Sequence, residues 1–265
     1  MALVAAQRAM HDAGITAHDL SLVICSTSTP TLISPSTACQ VLHRLASGID
    51  VPAYDIQAAC SGYLYALAQA WDFLQQRPQA NVLVLTTELM RGIVDIRDSQ
   101  TSPIFGDAAT ATILSCGEHS SRTLATLQRP VLSARGDDGT ALRVPLPGSE
   151  ARVHMDGKRI FGEAIRGMGA MLVRACADAG VKLAEVDLIV PHQANGRIIE
   201  AMRTRLKLAQ RQVWNEIRHR GNTSSSSIPL ALDTVLRQQD GTVRIAICAF
   251  GAGFTAGAAL LHSTR

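Results

Sequence analysis

A thiol, an imidazole and a carboxamide stand at positions suited to chemistry: Cys60, His192 and Asn222. Cys60 lies in DIQAACSGYLYALAQAWDFL, where an apolar strand ends at two alanines and a helical spacing of Leu64, Leu67, Ala68, Trp71 and Leu74 begins. A cysteine at a helix start feels the positive end of the helix dipole. That environment lowers a thiol pKa from about 8.5 into the range of roughly 3.5–7.5 and populates the nucleophilic thiolate. Taken alone, the same residue also suits a buried, inert thiol. His192, in DLIVPHQANGRII, follows a buried strand that Pro191 brings to an end. Strand ends of this kind are where α/β proteins place ligands, although a lone histidine serves equally to bond a loop carbonyl. Asn195 is placed to cap the helix that follows. Asn222, in RGNTSSSSIPLALDTVL, forms a Gly-Asn turn before a serine run able to cap the next helix. A turn residue and a reactive amide are compatible roles.

These three groups need elements to hold them, and an internal repeat indicates which. Residues 9–24 read AMHDAGITAHDLSLVI and residues 175–190 read ACADAGVKLAEVDLIV, with Asp-Ala-Gly at the same place in each. In both copies a helix stops at a glycine able to adopt the left-handed conformation, and a buried strand follows a turn later. The halves also end alike, in FGDAATATIL from Phe105 and FGAGFTAGAALL from Phe250. The pattern predicts helices over 1–13, 35–46, 61–76, 158–179, 195–206 and 226–238. Strands are predicted over 20–28, 52–58, 81–88, 107–115, 122–135, 187–191, 242–250 and 254–262, with a loop through 218–225. Alternating short strands and helices imply mostly parallel sheets covered on both faces, here an α/β fold of layered αβαβα type. The chain divides into halves 1–117, with Cys60, and 118–265, with His192 and Asn222. A pseudo-twofold axis would bring the helix after Cys60 and the helix after the serine run together at their starts. Internal symmetry also predicts a further strand ahead of the first helix, from a late gene start, a truncation or a differently built half.

Composition excludes several classes. The formal net charge of +3 and the lack of long like-charge runs give no basis for nucleic-acid binding. No run of eighteen apolar residues predicts a membrane span, and the first residues hold no signal-peptide core. The six cysteines form no C-x-x-C pair, so no metal or redox motif is present, and their apolar settings suit a reducing cytoplasm. GAGFTAG at Gly251–Gly257 does not fit G-x-G-x-x-G. A tight turn bringing backbone N–H groups near a substrate fits it better.

Six segments in fixed order, PSTACQ, YDIQAACSGYLYAL, FGDAATA, VPHQAN-x-R-I-I, GNTSSSSIP and FGAGFTAG-x-AL, resemble the β-ketoacyl-acyl-carrier-protein synthase III family of the thiolase-like superfamily. They cover nearly the whole chain. The resemblance implies a thiolase-like duplicated fold and a Cys60–His192–Asn222 centre. It implies an oxyanion hole from the backbone N–H groups of Cys60 and Ala252. It implies a ping-pong reaction in which Cys60 takes an acyl group from an acyl-CoA and malonyl-acyl-carrier protein then loses CO2 to give a 3-ketoacyl product. It implies no cofactor, a homodimer, and Arg197 as a contact for acyl carrier protein, a position that also suits a solvated helix charge. Three positions depart from the family pattern. The segment with the usual adenine-stacking Trp is absent, and an expected Arg-Gly is Ser99-Gln100, which leaves acyl-CoA and a carrier-bound acyl group both open as donors. Ser34 stands where many relatives carry a Phe that closes the acyl tunnel from the partner subunit, implying room for longer or branched acyl chains. A non-decarboxylating acyltransferase, a cysteine hydrolase and an inactive truncated partner subunit remain alternatives, although the C-G-S-C-W signature of papain-like enzymes is missing.

Overall fold

Side chains alternate along the buried strands, and that alternation builds five layers. The structure, a computed structural model, describes all residues except 100, 117–121, 137–138, 146–151, 239–240 and 265. In the first half, helix α1 (Ala2–Ala13) leads to strand β1 (Leu20–Ser26), then α2 (Thr37–Leu45), β2 (Ala53–Ile56), α3 (Gly62–Gln76), β3 (Asn81–Glu88) and β4 (Ala108–Ser115). The second half runs β5 (Ala125–Leu127), β6 (Val131–Ala134), β7 (Leu142–Arg143), β8 (His154–Met155), α4 (Gly157–Asp178), β9 (Leu188–Pro191), α5 (Gly196–Arg205), α6 (Ile217–Arg220), α7 (Ser227–Gln238), β10 (Arg244–Gly251) and β11 (Thr255–Ser263).

The first sheet has the order β2-β1-β3-β4, with β4 antiparallel to β3 and the others parallel. The second repeats it. There β9 and β10 are parallel, β11 is antiparallel to β10, and β5 and β6 pair with β11. Thus β1, β3 and β4 correspond to β9, β10 and β11. Leu22 and Ile24 point inward to α3 and α7, which lie between the sheets, whereas Val23 and Cys25 point outward to α1 and α2. Helices α4 and α5 cover the outer face of the second sheet. Ala66, Ala70 and Ala231 are fully buried in the middle layer; small side chains let two helices and two sheets pack closely there.

The expected helix stops are present, with Gly14 at φ 72° and Gly180 at φ 67°. The boundary drawn at 117/118 falls outside the described residues. Residues 218–225 are not a plain loop. Helix α6, with Glu216 paired to Arg220 one turn on, runs to Gly221, and Ser224–Ser226 form a 3₁₀ turn. The β7–β8 hairpin was not foreseen, because two-residue strands carry no readable alternation. Among the described residues no helix is long and apolar enough to cross a membrane.

Candidate active site

Two tight turns of the same build meet at the middle layer. In the first, Ala59 adopts φ 47° and Ala59–Ser61 form a 3₁₀ turn that runs into α3. In the second, Ser224 adopts φ 50° and Ser224–Ser226 run into α7. Left-handed backbone at a non-glycine residue costs on the order of 1–3 kcal/mol and persists only where the surroundings impose it. The two turns pack against each other. A Cβ placed on Gly62 would come within 3.5 Å of Ser225 Cβ. Cys60 belongs to the first turn and is half-buried. Gly251, at the end of β10, lies so near that a Cβ there would fall 2.8 Å from Cys60 N, and Thr255 Oγ1 donates to Ala58 O at 2.9 Å. Ala252 therefore follows directly on a residue pressed against the cysteine backbone.

His192 is joined to the second turn. Its backbone N–H donates to Cys248 O at 2.7 Å, extending the β9–β10 ladder past Pro191. Its Nδ1 lies 2.6 Å from Ser227 Oγ, the first residue of α7. Ser227 Oγ also accepts from Gln193 N–H at 3.2 Å; with the hydroxyl proton directed at Nδ1, the ring proton is on Nε2. Burial pushes the His192 pKa down to about 4, keeping the ring neutral near pH 7. Asn222 is anchored to the first half: its N–H donates to Ile104 O at 2.8 Å and its carbonyl accepts from Gly106 N at 3.0 Å. Its Oδ1 accepts from Ser224 N at 2.9 Å, which leaves the amide NH2 as the group free to donate to a ligand.

The thiol departs from expectation. Burial pushes the Cys60 pKa up to about 12, with Ser224 lowering it and the Glu88 carboxylate raising it further. At a solvated helix start the dipole would lower the thiol pKa. In the folded chain desolvation outweighs it, and a buried anion adds to the penalty. The serine run also does more than cap α7. Ser225 Oγ donates to Glu88 at 2.7 Å, Ser226 Oγ lies 2.7 Å from Thr86 Oγ1, and Ser227 holds His192. Gln193, 2% exposed, spans its loop by donating to Pro191 O and accepting from Glu216 N. Sequence reading missed Glu88, Gln193, Ser225 and Ser227. The correspondence appears only in the fold, which sets Ser225 opposite Cys60, each after a left-handed residue, and Glu88 opposite Gly251 at the ends of β3 and β10.

Arg197 is exposed in the first turn of α5, beyond the cap at Asn195, and Ser34 is exposed in the loop before α2. Neither joins the Cys60 cluster within one chain. Gln100 lies outside the described residues. A surface hollow of about 430 Å³ lined by Arg129, Leu132, Arg174 and Asp178 contains none of the three central residues.

Two family models match, described as 3-oxoacyl-[acyl-carrier-protein] synthase III over residues 54–129 and its C-terminal region over residues 176–263. A β-ketoacyl-[acyl-carrier-protein] synthase III of Coxiella burnetii is 37% identical over 98% of this chain and 82% of its own length. The crystal structure of 3-oxoacyl-[acyl-carrier-protein] synthase III from Aquifex aeolicus superposes with a TM-score of 0.88 at 36% identity, covering 98% of this chain and 83% of that one. A priming β-ketosynthase from the R1128 polyketide pathway gives 0.86 at 31% identity, covering 98% and 80%.

Proposed function

The chain belongs to the 3-oxoacyl-[acyl-carrier-protein] synthase III family, and from that premise we propose how its own residues carry the reaction. It is an acyltransferase of the condensing type. Cys60 is the nucleophile. The Cys60 sulfur bonds to the thioester carbonyl carbon of an acyl-CoA or acyl carrier, the carbon–sulfur bond to the donor breaks, and the proton passes from the entering to the leaving sulfur. The exchange is neutral overall, since a thiol is consumed and a thiol released; the sulfur itself attacks as the thiolate, as its proton leaves. The backbone N–H groups of Cys60 and Ala252 face the oxygen that becomes negative, a role worth about 3–4 kcal/mol per donor in other enzymes.

Malonyl-acyl carrier protein enters next. Its thioester carbonyl accepts from His192 Nε2–H and from the Asn222 amide. The bond to its carboxylate breaks, CO2 leaves, and the two neutral donors hold the enolate. The enolate carbon bonds to the acyl carbonyl, the Cys60 carbon–sulfur bond breaks, and the released thiolate takes a proton. The product is a 3-ketoacyl thioester that begins a fatty-acid or polyketide chain. Arg197 meets the acidic carrier protein, and the enzyme works as a cytoplasmic homodimer in which Ser34 of one copy borders the acyl channel of the other.

The observation that carries this reading is the meeting of two strained turns, one bearing Cys60 and the other adjoining Asn222 and bonded to His192. Intact-protein mass spectrometry after mixing with acyl-CoAs tests it. The wild-type chain is expected to gain one acyl mass and Cys60→Ala none; an adduct that survives in Cys60→Ala refutes the assignment.

A further inference from the structure

The repeat gives the second turn a position equivalent to Cys60, occupied by Ser225, and the two surroundings differ in one respect. Beside Cys60 the end of β10 is Gly251, whose missing side chain lets the two backbones pack so closely that a Cβ would fall 2.8 Å from Cys60 N. Beside Ser225 the end of β3 is Glu88, which sets a carboxylate against the turn instead. Glu88 is 0% exposed and accepts throughout: from Ser225 Oγ at 2.7 Å, from Ser28 N–H at 3.0 Å and from Thr29 Oγ1 at 3.3 Å. Thr29 Oγ1 in turn accepts from Leu89 N–H at 2.8 Å, so its own proton is directed at the carboxylate. Burial raises the Glu88 pKa and the Ser225 and Ser28 donors lower it, and with donors on both oxygens the carboxylate is better satisfied than the acid. Ser224, on the turn between them, lowers the pKa of both Glu88 and Cys60.

We propose that Glu88 is a positioning residue of the condensing site: it clamps the Ser224–Ser227 turn against the Cys60 turn and places a fixed negative charge behind the thiol. The clamp acts on both donors. Asn222 is tied to Ser224 N–H, and His192 to Ser227 Oγ, so a turn released from Ser225 loses its hold on each. The charge acts on the sulfur, whose proton affinity Glu88 raises. The ionisable groups around Glu88 are Cys60 on the turn, Cys25 on β1 and, beyond Cys25, Asp55 on β2; the second turn contributes hydroxyls, and His192 beyond it is neutral. Burial first, with the carboxylate adding to it, holds Cys60 as a thiol in the free enzyme and spares it from oxidants and alkylating agents.

The proposal rests on Cys60 being the nucleophile, and its test is read on the free enzyme so that the two stand or fall separately. Iodoacetamide labelling of Cys60, followed on its own peptide because Cys39 and Cys116 are also exposed, is compared between wild type and Glu88→Gln at fixed pH between 7 and 9. Loss of the charge is expected to raise the rate about threefold, the effect of lowering a thiol pKa by about half a unit. Glu88→Asp, which keeps the charge, returns the rate toward wild type, whereas simple loosening by a shorter side chain would not. Malonyl-carrier decarboxylation falls roughly tenfold in folded Glu88→Gln as the donors lose their placement. An unchanged labelling rate in folded Glu88→Gln overturns the proposal. Where that variant does not fold, Ser225→Ala decides: it cuts the clamp and keeps the charge, and unchanged decarboxylation there overturns the proposal equally.

Discussion

With His192 and Asn222 as donors and Cys60 as nucleophile, as proposed above, their substitutions separate the two half-reactions. His192→Ala and Asn222→Ala are expected to keep acyl-adduct formation within about tenfold of wild type while condensation with malonyl-carrier falls about 10²–10³-fold, the loss typical of a transition-state donor. Single-turnover acylation and steady-state product formation measure each. His192 also links stability to pH. Its folded pKa of about 4 lies below the ordinary 6.5, so between those values the unfolded chain binds the extra proton. The contribution is fully present above 6.5 and is lost as the pH falls toward 4, by on the order of 3 kcal/mol. Glu88, whose carboxyl is pushed up by burial, acts in the opposite sense over the carboxylate range. The measurement is therefore the difference between denaturation curves of wild type and His192→Gln from pH 7 to 4.5, expected to narrow as the pH falls.

At the scale of elements, α3 and α7 carry the site because they carry the core. Leu67, 2% exposed, packs between the two sheets. Leu67→Ala is expected to cost about 2–5 kcal/mol, read from the urea midpoint. Its spacing with Leu64 and Leu74 made α3 legible from residues alone, as the Asp-Ala-Gly repeat made the duplicated layers legible. The second turn was not legible in the same way. Ser225 reads as a helix cap, yet its partner is Glu88, 137 positions away in sequence. Neither Ala59 nor Ser224 is a glycine, so nothing local marks their left-handed backbone. The Cys60 pKa was misjudged for a related reason: a helix start is visible in sequence, but the depth at which the fold buries it is not.

For the molecule as a whole, the acyl channel is completed between copies on the reading given above, because Ser34 lies exposed and apart from Cys60 within one chain. Ser34→Phe is expected to lower kcat/KM for acyl-CoAs longer than butyryl by about tenfold relative to acetyl-CoA, about the discrimination that pocket shape supplies. A panel of acyl-CoAs from acetyl to octanoyl measures it; an unchanged profile removes Ser34 from the channel. On the proposal that Arg197, in α5, meets the carrier protein, this substitution before α2 leaves the KM for malonyl-carrier near its wild-type value.

The middle layer draws one helix from each half, α3 from the first and α7 from the second, and each presents apolar faces that only the other half covers. Neither half can thus complete a dry interior by itself, and folding of the two is expected to be a single cooperative event. The thiol and its two donors arrive from opposite sides of that seam, so chemical competence appears only once the last large hydrophobic contact has closed. A nascent or heat-opened chain therefore lacks the assembled pair of donors that condensation needs.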